Sequence, residues 1–128
     1  LSTSLNNLAW TLEMAGRHEE ARTRYEEAVT LVDKALGKQH PDAVIGRANL
    51  GEFHARRGEL AVAERLLSRA VKDLTRRLGK DHPYVGHRLH GLARVLFARR
   101  RSRKALRLVR RSRTVAGRVP QRGSLVGR

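Results

Sequence analysis

The segment Leu36-Gly37-Lys38-Gln39-His40-Pro41 returns as Leu78-Gly79-Lys80-Asp81-His82-Pro83, a spacing of 42 residues. Self-similarity at a fixed period of roughly 20 to 50 residues is the mark of stacked supersecondary units, each of which buries its apolar face only against its neighbours. The same shift aligns Leu8 with Leu50 and Leu92, Ala9 with Gly51 and Ala93, Ala21 with Ala63 and Ala105, and Gly16 with Gly58. Three units of one kind follow, and each reads as a pair of helices.

In the first unit Leu5, Leu8, Ala9 and Leu12 fall at i, i+3, i+4 and i+7, one face of an amphipathic helix. Gly16 ends it. A second helix carries Ala21, Tyr25, Ala28, Val32 and Ala35 on its inner stripe, with Glu19, Glu20, Glu26 and Glu27 outside and Glu20 spaced for pairing with Arg24. Pro41 suits the first turn of the next helix because it has no amide hydrogen to leave unpaired. The second unit predicts helices over about 41–57 and 59–78, with Val44, Leu50, Gly51 and Phe53, then Ala63, Leu67, Ala70, Leu74 and Leu78, turned inward. The third starts at Pro83 with Val85, Leu89, Leu92, Ala93 and Leu96 on its first stripe. Its second helix keeps Ala105, Leu108, Val109, Ser112, Val115 and Ala116 in register. Small residues at positions 9, 51 and 93 and at 21, 63 and 105 let paired helices approach closely.

The expected fold is all-α, a stack of about three antiparallel helix hairpins covering residues 1–116, with repeats over about 1–40, 41–82 and 83–116. The tail over 117–128 holds Pro120, Gly123, Ser124 and Gly127 among scattered arginines and reads as disordered. The chain opens inside a helical pattern at Leu1, so a piece of a longer protein is expected. Cysteine is absent, which removes disulfide and thiol chemistry, and no apolar run approaches the roughly 18 residues of a membrane span. A cytoplasmic protein is the default reading.

Charge is divided unevenly. Residues 1–87 hold 14 basic and 12 acidic residues, hence +2, whereas residues 88–128 hold 14 basic and no acidic residue, hence +14. The densest basic patch is Arg99, Arg100, Arg101, Arg103 and Lys104, continued by Arg107, Arg110 and Arg111. Such a block suits an acidic protein surface or nucleic-acid phosphates, although no helix-turn-helix or zinc-finger signature accompanies it and few aromatics are available to stack on bases. Catalysis finds no motif: there is no glycine-rich phosphate loop and no recognisable nucleophile, base and acid set. A zinc site needs about four ligands; His82, His87 and His90 are near one another in sequence, but no acidic residue follows Asp81. Neither an enzymatic activity, a cofactor, a metal nor a small-molecule substrate is therefore expected. His40 and His82 read as loop structure, satisfying backbone groups before proline.

Leu5-Asn6-Asn7-Leu8-Ala9, Gly16-Arg17-His18-Glu19-Glu20-Ala21, Tyr25-Glu26-Glu27-Ala28 and the Leu-Gly-Lys-x-His-Pro loop resemble the 42-residue tetratricopeptide repeat of kinesin light chains and many bacterial signalling proteins. The commoner form of this repeat has 34 residues. Departures are Arg47 and His54 in place of Leu5 and Leu12, Arg100 in place of a glycine, and the missing loop after the third unit. The resemblance implies a right-handed superhelix whose first helices line a concave groove that holds a peptide or a partner's helix.

By register, the groove face carries Thr3, Asn6, Trp10 and Glu13 in the first unit, Ile45, Ala48, Glu52 and Ala55 in the second, and His87, His90, Arg94 and Phe97 in the third, with Asn7 and Asn49 at its edge. Asparagine forms helices poorly, and its paired donor and acceptor suit an extended peptide backbone. Trp10 and Arg94 belong to the residue types that dominate interface hot spots. The expected function is protein–protein interaction as part of a scaffold or regulatory protein, with nucleic-acid contact through the third repeat as the alternative.

Overall fold

The computed structural model describes residues 2–99 and 106–112. Five helices run in chain order: α1 (Ser2–Met14), α2 (His18–Leu36), α3 (Pro41–Arg56), α4 (Leu60–Leu78) and α5 (Pro83–Ala98); residues 106–112 are also helical. No strand occurs among the described residues. Each helix packs on its chain neighbours, and α3 also reaches α5. The hairpins α1–α2 and α3–α4 are thus stacked side by side, and α5 with 106–112 continues the series.

The recurring loop has the same construction at both copies. Gly37 and Gly79 adopt φ of 89° and 92° with ψ near 150°, a region essentially closed to residues with a Cβ. The backbone N–H of His40 donates to Gly37 O, and that of His82 to Gly79 O, each at 3.2 Å. The imidazole then caps the next helix: His40 Nδ1 accepts from Asp42 N at 3.0 Å and His82 Nδ1 from Tyr84 N at 3.1 Å, with proline in the first turn. The loop histidines are helix caps. Within the hairpins a different closure recurs. Arg17 N donates to Leu12 O and Gly16 N to Glu13 O, and Glu59 N to His54 O and Gly58 N to Ala55 O, the paired bonds of a Schellman motif.

The main core joins the second and third units: Val44, Leu67, Leu74, Val85, Leu89 and Leu96 are fully buried, with Leu108 and Val109 packed on their edge. A smaller cluster of Ala9, Ala21, Tyr25 and Phe53, edged by Leu12 and Leu50, joins the first unit to the second. The small-residue positions do what spacing implies. A Cβ at Gly51 would stand 3.0 Å from Leu66 Cβ and 3.2 Å from Leu67 Cγ, so α3 and α4 touch almost backbone to backbone.

Leu8 departs from its expected inward role and is 46% exposed. Its equivalents Leu50 and Leu92 are half-buried and buried because a preceding hairpin lies against them; among the described residues none lies against α1. Ala48, expected on the groove face, is fully buried within the main core cluster. The two polar substitutions in the second unit are each answered by a partner. Arg47 binds Asp33 at 2.8 Å and the Lys38 carbonyl, and His54, buried, donates from Nδ1 to Glu59 at 2.6 Å. Glu20 pairs with Arg17 instead of Arg24, which takes Glu27 at 2.5 Å; both pairs are spaced i, i+3. Leu1, Arg100, Ala105, Val115, Ala116 and the tail over 117–128 lie outside the described residues.

Candidate groove and its ion pairs

The face shared by α1, α3 and α5 holds two adjoining cavities. The first, of about 220 Å³, is lined by Asn6 and Trp10 of α1, Tyr25 of α2, and Asn49, Glu52 and Arg56 of α3. Trp10 is half exposed, and the Arg56 guanidinium lies over its ring, 5.0 Å from the centroid. That guanidinium is fixed from below: Arg56 Nε and Nη2 donate to Glu13 Oε2 and Oε1 at 2.6 and 2.9 Å, a two-pronged geometry that suits arginine. Tyr25 donates its hydroxyl to Glu13 Oε1 at 3.2 Å and accepts from Arg56 Nη2 at 3.4 Å. Burial of the ring, reinforced by the Glu13 charge, pushes the Tyr25 phenol up to about 12. The hydrogen bond to Glu13 raises the Arg56 guanidinium above its ordinary value, although burial opposes it. The Asn6 side-chain oxygen is enclosed here with no hydrogen-bond partner among the described residues.

The second cavity, of about 290 Å³, lies between α3 and α5. Its floor is apolar, with Leu60, Leu67 and Val95; Glu52 and Arg56 stand on one wall, and His87, His90 and Arg94 on the other. Glu52 is spoken for. It accepts from Arg88 at 2.7 Å, and Arg88 also donates to Asn49 Oδ1 at 2.9 Å. Gly91 makes room for this approach, because a Cβ there would come within 3.1 Å of the Glu52 carboxylate. His87, His90 and Arg94 are exposed and make no hydrogen bond or ion pair among the described residues.

Of the groove residues expected from register, Asn6, Trp10, Asn49 and Glu52 meet in the first cavity, and Glu52, His87, His90 and Arg94 in the second. Glu13 does not reach the surface: it is only 6% exposed, and its carboxylate is consumed beneath Trp10. Asn7 and Phe97 are exposed but line neither cavity, and Phe97 points into open solvent at 67% exposure. Sequence reasoning passed over Arg56, Tyr25 and Arg88. A signal existed for two of them, since Arg56 stands where the other units have Met14 and Ala98, and Arg88 interrupts the apolar stripe of Val85, Leu89 and Leu92.

The basic patch is only partly described. Arg99 is bound to Glu64 at 2.7 Å, and Arg107, Arg110 and Arg111 lie on the exposed side of 106–112. Arg100, Arg101, Arg103 and Lys104 lie outside the described residues. Outside the groove, hairpins are stitched by Arg22 with Glu59 at 3.3 Å and by Arg47 with Asp33. The hydrogen bond from His54, with help from Arg22, holds the Glu59 carboxyl below the usual carboxylate range. No group of three potential metal ligands occurs among the described residues, and none of their helices is long and apolar enough to cross a membrane.

A family model described as tetratricopeptide repeat matches residues 1–72 and again 43–117. Among curated proteins, the clustered mitochondria protein homolog of Danio rerio is 31% identical over 84 residues, which cover 60% of this chain and 6% of that protein. Solved structures share the fold. A Podosopora anserina protein described by its kinesin light chain nearly identical TPR-like repeats superposes with a TM-score of 0.83 at 24% identity, over 93% of this chain and 56% of that one. BtubC (BKLC) from P. vanneervenii gives 0.81 at 21% identity, over 98% of this chain and 52% of its own. The present chain therefore spans about half of these structures and a small fraction of the curated relative. With its 42-residue period, its stacked hairpins and both matches of the family model, the chain belongs to the tetratricopeptide repeat family.

Proposed function

We propose that this chain binds a peptide or a partner protein segment of acidic character through the face shared by α1, α3 and α5, as part of a scaffold or regulatory protein. Tetratricopeptide repeat folds are in general protein–protein interaction modules. The observation that carries the reading is Trp10, the only tryptophan in the chain, left half exposed beside a polar cavity and held under the Arg56 guanidinium. An aromatic so placed offers a large, rigid contact surface, and tryptophan and arginine lead among interface anchors. The acidic character of the partner follows from charge balance. Glu13 and Glu52, the two carboxylates on this face, are neutralised by Arg56 and Arg88, while Arg94 is unpaired among the described residues.

Because Trp10 is unique, its fluorescence reports occupancy of the groove directly. A peptide library screened by this signal should yield ligands enriched in acidic residues, and Trp10→Ala should lower their affinity by about 2 kcal/mol or more, as for a hot-spot residue. Retained affinity in Trp10→Ala, together with its loss on reversing Arg107, Arg110 and Arg111 to Glu, would place binding on the basic end instead. Nucleic-acid binding would announce itself by a fall of orders of magnitude between about 50 and 200 mM salt.

A further inference from the structure

We infer that the cavity between α3 and α5 is a subsite for a phosphorylated side chain on the partner peptide, a refinement that rests on the groove reading above. Its polar wall is made by His87, His90 and Arg94, at i, i+3 and i+7 of one helix, and its floor by Leu60, Leu67 and Val95. All three basic side chains are exposed and without a hydrogen-bond or ion-pair partner among the described residues. The one carboxylate on the opposite wall, Glu52, is held by Arg88, so among the described residues no free carboxylate in this cavity competes for them.

The number of donors selects the anion. Elsewhere on this face each carboxylate is matched by one guanidinium: Glu13 by Arg56, with the Tyr25 hydroxyl added, and Glu52 by Arg88. By that standard a ligand carboxylate, with two oxygens and one charge, satisfies Arg94 and leaves the two imidazoles idle. A phosphoryl group brings three acceptor oxygens and a charge of about −1.5 to −2 at neutral pH, which matches an arginine flanked by two further N–H donors. The apolar floor then receives the aliphatic residue beside it, and Arg56, tied to Glu13, closes the end towards Trp10.

The test uses the whole chain and three capped peptides of the form Ala-Leu-Xaa-Leu-Ala, with Xaa phosphoserine, glutamate or serine, titrated by NMR with the imidazole signals observed. The phosphoserine peptide should bind about tenfold or more tightly than the glutamate peptide, the ratio one additional charge-assisted hydrogen bond supplies. The shifts should centre on α5. Arg94→Gln should weaken both peptides about tenfold or more while the melting curve stays unchanged, since Arg94 is exposed and has no partner among the described residues. His87→Ala with His90→Ala should bring the two affinities together, since the imidazoles supply the donors that a carboxylate leaves idle. Equal affinity for the phosphoserine and glutamate peptides overturns the inference, as does a preference that survives His87→Ala with His90→Ala. Inorganic phosphate binding as tightly as the phosphopeptide would also overturn it, as would displacement of the peptide by a short single-stranded oligonucleotide at equal phosphate concentration. If all three peptides bind alike and quench Trp10, the subsite falls and the groove reading stands. If none binds, the subsite falls, and the library screen decides the groove independently.

Discussion

Ionising Tyr25 is the sharpest probe of the buried cluster beneath Trp10. The phenol is buried, its ring packs against Phe53 with centroids 5.3 Å apart, and its hydroxyl is wedged between Glu13 and Arg56. It titrates near 10 in the unfolded chain and about 12 in the folded one. Below pH 10 both states keep the proton and the full stabilisation is present. Between 10 and 12 the unfolded state releases the proton while the native state retains it, so stability falls as pH rises. Two pKa units at about 1.36 kcal/mol each give a loss of about 3 kcal/mol across that window, a large share of the 5 to 15 kcal/mol typical of a domain. Lysines titrate in the same range, so the quantity to measure is a difference. Denaturant unfolding of the native sequence and of Tyr25→Phe should be followed from pH 8 to the alkaline limit, with phenolate absorbance recorded in a Tyr84→Phe background that isolates Tyr25. At neutral pH Tyr25→Phe should cost about 1 kcal/mol for one hydrogen bond, and towards pH 12 the gap should close and reverse. Glu13→Gln should lower the Tyr25 midpoint but leave it above the ordinary value, because burial is the larger cause. A midpoint at the ordinary tyrosine value in the folded protein, or the same alkaline slope in Tyr25→Phe, would refute the cluster as described.

Three further outcomes test the frame. His82→Ala should cost about 1 kcal/mol in denaturant unfolding, while His82→Asn, which also accepts at a helix start, should recover most of it; equal losses would show that the ring contact with Tyr84 at 4.8 Å matters more than the cap. Leu92→Ala should cost about 2 to 5 kcal/mol, and Leu50→Ala less because Leu50 is only half-buried; near-zero changes at both would defeat the packing register. Arg88→Met should destabilise by about 2 kcal/mol or more by leaving Glu52 and Asn49 without their donor, and adding Glu52→Gln should restore part of that loss in a double-mutant cycle.

Much of the frame was legible because it depends on local rules. The Leu-Gly-Lys-x-His-Pro loop locates both repeat boundaries, since its glycine conformation and its cap each need a particular residue; the observed α3 and α4 begin and end within a residue of the expected spans, and α5 begins at the expected Pro83. Gly51 foretold a close crossing, and a Cβ added there would stand only 3.0 Å from Leu66 Cβ. The groove face was legible as a set of positions but not as chemistry. Glu13 and Glu52 occupy the same kind of site on paper, yet one lies beneath Trp10 and the other on a cavity wall. The difference is made by Arg56 and Arg88, which lie 43 and 36 residues away and approach only once the hairpins are stacked. Leu8 fails for the complementary reason, since its burial depends on a neighbouring hairpin rather than on its own helix.

Arg56 belongs at once to the Trp10 platform and to the bridge that joins α3 to α1. A ligand that displaced the guanidinium from the indole would strain its bond to Glu13, and that bond is one of the side-chain bridges between the first two hairpins. On the proposed groove reading, occupancy beside Trp10 and the contact between α1 and α3 would be coupled through this one side chain.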